Sequence, residues 1–345
     1  YRYVWDGRVQ AAGINPYRYI PDSPALAALR DTAVFPNINR AEYAHTIYPP
    51  AAELIFAAVG RVCSGVTFLK LVMVGFETLA VACLLRLLVV AGLPAERVLI
   101  YAWNPLPVWA FAGNGHVDAA MVGFVGLALL LRVRRRDGWA GLALGLAVLT
   151  KFLPAVIAPV LWRRGGGARL ALTALATVIS LYAVYLSVGW QVFGFLGGYG
   201  AEEGIDNGSG IWLLAGIGRL VSMPGFAGTL YLAALASVLA GIGAWFAFVR
   251  RPDGAVAICG AAGVMMAVVT FGISPHYPWY FAWLAVPAVL APCPAVLWLA
   301  TAPVLLYLDT FGDRFVWPSV VFAPAVFLAL AGLFRPAAQP IRGIP

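Results

Sequence analysis

Apolar runs follow one another along this chain from about Phe68 to its end. They lie near 68–91, 98–112, 117–132, 139–150, 152–162, 168–189, 226–249, 255–273, 278–291, 295–309 and 317–334. A helix that crosses a membrane needs ~20 residues. Some runs reach that length and others fall short. Short or broken helices at membrane depth survive only against protein or a water-filled cavity. The pattern therefore predicts an all-α, polytopic transmembrane bundle of about eleven apolar segments. The runs 139–150 and 152–162 should pair as half-helices, with Lys151 near the tip. Residues 1–50 are polar, aromatic and proline-rich, and read as one long loop ahead of the bundle at 51–345. The chain is expected to form a single integral-membrane domain.

Composition narrows the class further. Of 345 residues, 62% are hydrophobic and 11% charged, and the mean hydropathy is +0.86. A soluble domain carries about 25% charged residues and about 45–50% apolar ones. A soluble globular protein, a disordered chain and a coiled coil are all ruled out. A membrane barrel is ruled out too, because its strands alternate polar and apolar residues. Cys63, Cys83, Cys259 and Cys293 lie in or beside apolar runs without CxxC spacing, so neither zinc nor a disulfide framework is expected. The chain opens at Tyr1 without a Met, a signal peptide or an apolar helix. The expectation is that a first membrane helix precedes Tyr1; a cleaved signal peptide is the alternative.

The formal charge of +8 would by itself suggest nucleic acid, but the arginines argue for a membrane. Arg97, Arg132 to Arg136, Arg163, Arg164, Arg169, Arg250, Arg251, Arg335 and Arg342 all fall on one side if the spans alternate. By the positive-inside rule that side is the cytoplasm. Segment 1–50 and the loops 190–225 and 310–316 then face outward. Arg2, Arg8, Arg18, Arg30 and Arg40 break the bias in the first loop. Trp109, Trp190, Trp212, Tyr277, Trp279, Tyr280 and Trp317 cluster where an outer interfacial belt should lie.

Residues able to do chemistry collect on the outer side. Asp6 stands among aromatics between Arg2 and Arg8. Near a bilayer its pKa can rise enough for general-base work, or it can simply pair with Arg8 or Arg2. His116 and Asp118 can pair to fix the imidazole tautomer, or Asp118 can serve the first turn of the next helix; a structural role is favoured. Lys151 inside an apolar hairpin is costly, and so a candidate for holding a lipid phosphate; the alternative is snorkelling. Pro275 and Pro278 flank His276 and hold it out of helix. There it can donate to a phosphate or protonate a leaving group, or it is a core histidine. Glu202, Glu203, Asp206 and Asn207 read as a solvated loop tip, with binding of a hydroxyl-rich acceptor as the alternative.

At these clusters the sequence resembles the GT-C superfamily of integral-membrane glycosyltransferases. It is similar to the bacterial polyprenyl-phosphate-mannose-dependent branch, glycosyltransferase family 87. The resemblance rests on YRYVWDGRVQAAGINPY (1–17), TIYPP (46–50), GNGHVD (113–118), GLAVLTKFLPAVIAPVLW (145–162) and SPHYPWYFAWL (274–284). It implies a hexose, mannose first, moved from a polyprenyl-phosphate donor to a glycan or glycolipid acceptor. Transfer would invert the anomeric centre at the outer face of the cytoplasmic membrane, among membrane lipids and without nucleic acid. It implies Asp6 as base on the acceptor and His276 as the second catalytic group. Arg8, Lys151 and Tyr280 would bind the donor phosphate, with Tyr48, His116, Asp118 and Tyr277 in support. Members of the family often carry a further acid just upstream of the YRY-type segment, a position before Tyr1. No cofactor is implied, and a metal is left open.

The rival reading is a lipid-linked-sugar flippase or other transporter. It predicts polar residues strung along the spans, where charges such as Glu77, Arg86, Lys151 and Asp309 are few. It is weakened again by the absence of matched Gly/Pro-interrupted helices in two halves.

Overall fold

The computed structural model describes residues 1–309 and 312–333. Thr310, Phe311 and residues 334–345, with Arg335 and Arg342, lie outside the described residues. Every regular element among the described residues is helical. Among the described residues, four helices are long and apolar enough to cross a membrane: Val66–Ala91, Gly167–Glu202, Ala227–Arg250 and Ala255–Ile273.

The remaining segments are shorter or broken, as the lengths of the apolar runs predict. Between α3 (Val66–Ala91) and α4 (Asp118–Val133), the chain passes through Leu99–Ala102, Pro105–Pro107 and the π-turn Val108–Gly113. Asn104 ends the first of these pieces and caps the next, its side chain accepting from the Leu106 amide. The half-helix hairpin is present. α5 (Asp137–Thr150) stops where Lys151 turns extended, and Leu153–Ile157 and Ala158–Leu161 lead back. Pro154 has no N–H to give the Thr150 carbonyl, so α5 cannot continue.

Glycines set how closely the helices pack. On α5, Gly138, Gly141 and Gly145 face α6 (Gly167–Tyr185), and a Cβ at Gly141 would sit 2.2 Å from the Leu170 carbonyl oxygen. The same register of contacts runs upward on both helices, so α5 and α6 lie parallel.

The first loop is more ordered than its composition suggests. α1 (Arg2–Ala11) packs on α2 (Pro50–Val62), and their backbones cross at Gly7 and Gly60. Neither helix follows from the apolar pattern. α1 is one polar-aromatic decapeptide, and Glu53 interrupts the buried hydrophobic face of α2.

The ends of the bundle differ in charge. Arg132 donates to the Leu161 carbonyl, Arg135 pairs with Asp253 at 3.0 Å, and Arg163 pairs with Asp137. These contacts gather three loops into an arginine-rich end. α4 runs ~24 Å from there to Asp118, at the end that carries loop 1–50.

Candidate active site

A cavity of about 390 Å³ opens at the end opposite the arginines. Its polar wall includes Arg2, Arg40, His116, Asp118 and Lys151; its aromatic wall includes Tyr48, Tyr199, Tyr277, Trp279 and Tyr280. Asn37, Asn39 and Asn114 add amide groups at the rim. Such a lining pairs aromatic faces with hydrogen-bonding groups and charge.

Lys151 anchors it. Its Nζ lies 2.5 Å from Asp118 Oδ1 and 3.4 Å from the centre of the Tyr280 ring. The break after Thr150 places the ammonium at the hairpin tip, and the first turn of α4 presents Asp118 to it. Beside them, Gly115 (φ +72°) turns the chain so that His116 stacks on Trp279 at 3.9 Å. The Tyr3 hydroxyl lies 3.4 Å from His116 Nδ1. Burial pushes the His116 imidazole down to about 4, with Asp118 opposing the shift and Lys151 adding to it. His116 is therefore neutral at pH 7.

Asp6 does not line this cavity. Its carboxylate is 2% exposed and accepts both bonds from Arg2 Nε, at 3.0 and 3.1 Å. Arg2 also donates to the Ala44 carbonyl and so stands in the wall with Asp6 behind it. Glu53 is the residue the sequence reading missed. It accepts from Thr46 Oγ1 at 2.7 Å and from Gln10 Nε2 at 2.8 Å, fully buried. Burial pushes both carboxyls up; the Arg2 guanidinium opposes this at Asp6, and the Asp6 charge pushes Glu53 further.

Arg8 was expected at a donor phosphate, and the structure places it elsewhere. It lies 2.8 Å from Asp31 and donates to the Leu29 carbonyl, on another face of α1. Arg2 and Arg40 supply the guanidiniums of the cavity instead. Tyr48, His116, Asp118, Lys151, Tyr277 and Tyr280 do come together in its lining.

His276 faces an adjoining cavity of about 60 Å³, which shares Tyr199, Tyr277 and Tyr280 with the first. α7 (Ala255–Ile273) ends on Ser274 at φ +45°, whose hydroxyl donates to the Phe271 carbonyl, and Pro275 follows. His276 Nδ1 then lies 3.0 Å from Glu203 Oε2. Glu203 is no solvated loop tip. It is buried against Arg314 at 3.5 Å and Arg40 at 3.7 Å, and Arg40 also holds Glu202. Burial pushes the Glu203 carboxyl up, but His276 and the two arginines outweigh it and hold it below its usual value. The Tyr199 and Tyr280 hydroxyls, 3.2 Å apart, join the two cavities. Among the described residues no group of three or more His, Cys, Asp or Glu could hold a metal ion.

Comparison with known proteins gives one family and one relative. Residues 1–163 match the family described as alpha-(1->6)-mannopyranosyltransferase, N-terminal domain. The chain is also similar to alpha-(1->6)-mannopyranosyltransferase A of Mycobacterium tuberculosis. The two are 27% identical over 325 residues, covering 84% of this chain and 61% of that protein. The chain thus spans about three-fifths of the length of that relative. No solved structure matches it. The family match takes in α1, Asp118 and Lys151; His276 lies beyond it.

Proposed function

We propose, from its relationship to the alpha-(1->6)-mannopyranosyltransferases, that this chain transfers mannose from a polyprenyl-phosphate donor to a glycan or glycolipid acceptor. The reaction takes place at the outer face of the cytoplasmic membrane and inverts the anomeric centre. The observation that carries this reading is the Lys151–Asp118 pair in an aromatic, amide-rimmed cavity. The aromatic faces suit the C–H faces of a pyranose, and the asparagines suit its hydroxyls. As the sugar leaves its lipid phosphate, negative charge grows on the phosphate oxygens. Preplaced cations stabilise that charge best in a site screened from water. Lys151, Arg2 and Arg40 line the cavity as such cations, and His276 stands next to them.

The acceptor hydroxyl must lose its proton as its oxygen bonds the anomeric carbon. Asp118 is the carboxylate that faces the cavity, and we assign it that role. Asp6, turned toward Arg2, is a positioning residue. The test is transfer by the purified protein with labelled polyprenyl-phosphate mannose and a mannoside acceptor. Loss of a general base costs ~10²–10⁴ in rate. Asp118→Asn should lose that much turnover without weakening donor binding, because it leaves Lys151 free to hold the phosphate. If Asp118→Asn keeps full turnover and Asp6→Asn abolishes it, the base is Asp6. If labelled sugar crosses vesicles but never reaches an acceptor, the protein is a transporter.

A further inference from the structure

A second groove lies at the arginine-rich end, away from the active site. It measures about 890 Å³ and runs between α5 and α6. Arg134, Arg136 and Arg169 line its mouth, all three exposed and without a carboxylate partner among the described residues. Asp137 lies there too, but Arg163 occupies both of its oxygens. The mouth therefore carries uncompensated positive charge. Both α5 and α6 begin at this end, so their positive dipole ends add to it. Beyond the mouth the wall is mainly apolar, with Leu142, Leu146, Ala176 and Leu181 beside the hydroxyls of Thr173, Thr177 and Ser180. Trp139 stands beside the mouth, 63% exposed, where an interfacial tryptophan belongs.

We propose that this groove binds an acidic diacyl phospholipid, with its phosphate at Arg134, Arg136 and Arg169 and an acyl chain along α5 and α6. The dimensions favour a lipid over a free anion. From Arg169 to Leu181 the helix rises ~18 Å, and one leaflet of hydrocarbon is ~15 Å deep. A single acyl chain would cover the apolar wall, whereas a free phosphate would leave it bare. The site is independent of the transfer reaction and takes a lipid at the end of the bundle opposite the donor cavity.

The test uses the whole protein in neutral detergent, titrated with phosphatidylglycerol, phosphatidylcholine or glycerol phosphate. Binding is followed by native mass spectrometry and by the thermal midpoint. Phosphatidylglycerol should bind saturably and raise the midpoint; the other two should not. Each arginine near an anionic headgroup is worth about fivefold in affinity, so Arg134→Gln/Arg136→Gln/Arg169→Gln should weaken binding on the order of a hundredfold. The control Arg97→Gln/Arg164→Gln/Arg250→Gln removes equal charge away from the groove and should bind as wild type. Ala176→Trp fills the exposed apolar wall and should weaken phosphatidylglycerol binding with every arginine in place. Equal loss in both triple variants would mean general surface attraction and overturn the site. Glycerol phosphate binding as tightly as the lipid would overturn it in favour of an anion site. If the triple variant does not fold, Ala176→Trp decides: unchanged lipid binding there overturns the proposal.

Discussion

Lys151 Nζ sits 2.5 Å from Asp118 Oδ1 and 3.4 Å above the centre of the Tyr280 ring, so one ammonium joins three separate helical segments. Removing one partner of a buried ion pair leaves an uncompensated charge, at a cost of about 3–5 kcal/mol. Lys151→Met should therefore lower the thermal midpoint steeply as well as stop transfer. Replacing both groups by apolar ones removes the stranded charge. Lys151→Met/Asp118→Leu should recover most of the midpoint and none of the transfer. Thermal unfolding of the two variants in the same detergent checks this; a double variant no more stable than the single one refutes it.

His116 makes stability depend on pH. Its folded value is about 4, against ~6.5 for a free imidazole. Between those values the unfolded chain binds the extra proton, so stability falls as pH drops through that window and is complete above it. The shift corresponds to about 3 kcal/mol. The wild-type midpoint should decline between pH 6.5 and pH 4, and His116→Phe, which keeps the stack on Trp279, should decline less. Parallel curves for the two proteins would show that another group controls the slope.

The spans and the Lys151 hairpin were legible because length of apolar run is a one-dimensional signal. The site was legible in part. Lys151, Asp118, His116 and Tyr280 carry polar chemistry inside apolar sequence, where it is conspicuous. Arg2 was passed over for Arg8, although helical spacing separates them. Residues four apart share a helix face and residues two apart do not, so Arg2, not Arg8, meets Asp6. That signal required α1 to be read as a helix, and its apolar pattern is too weak to show one. Glu53 goes unnoticed in the sequence, and Glu203 reads there as part of a solvated loop tip, for another reason. Their partners Gln10 and His276 come from distant segments, and nothing local marks either acid as buried.

Two glycines should respond in opposite ways to the same substitution. Gly141→Ala drives a Cβ to 2.2 Å from the Leu170 carbonyl and must push α6 off α5. Overpacking of this kind costs about 1–3 kcal/mol. Gly75 on α3 has nothing within 4 Å of an added Cβ, and alanine is the better helix former by about 1 kcal/mol. Gly75→Ala should leave the midpoint unchanged or raise it. Equal losses at both positions would mean that α5–α6 contact does not limit stability.

Sidedness can be read by labelling. Cys63 and Cys293 are exposed and must first become serine. Cysteines placed at Ser23 and Asn207 should then react with an impermeant thiol reagent in intact cells, and one at Arg164 should not. Arg164 is exposed, whereas neighbouring Gly166 has no room for a side chain beside Asp137. Labelling at Arg164 with protection at the other two would invert the topology and put the cavity on the cytoplasmic side.

His276 and Glu203 divide binding from positioning. His276 faces the cavity that shares Tyr280 with the main site, and on the proposed function its imidazole would meet the donor phosphate in the ground state. A contact already present in the ground state affects donor affinity as well as turnover. His276→Ala should therefore raise the donor Kd and lower transfer. Glu203 contacts His276, Arg40 and Arg314, and on the proposed function it would act on the donor through them. Glu203→Gln keeps the hydrogen-bonding shape and removes the charge. Its low folded carboxyl value means it stabilises the fold above the ordinary glutamate range, and that support is lost as pH falls through the folded value. In Glu203→Gln the acid-side loss of stability should shrink, and donor affinity should fall less than in His276→Ala. Donor binding and single-turnover transfer, measured separately across pH, distinguish the two. If His276→Ala binds donor like wild type and loses only turnover, the histidine acts on the leaving group in the transition state alone.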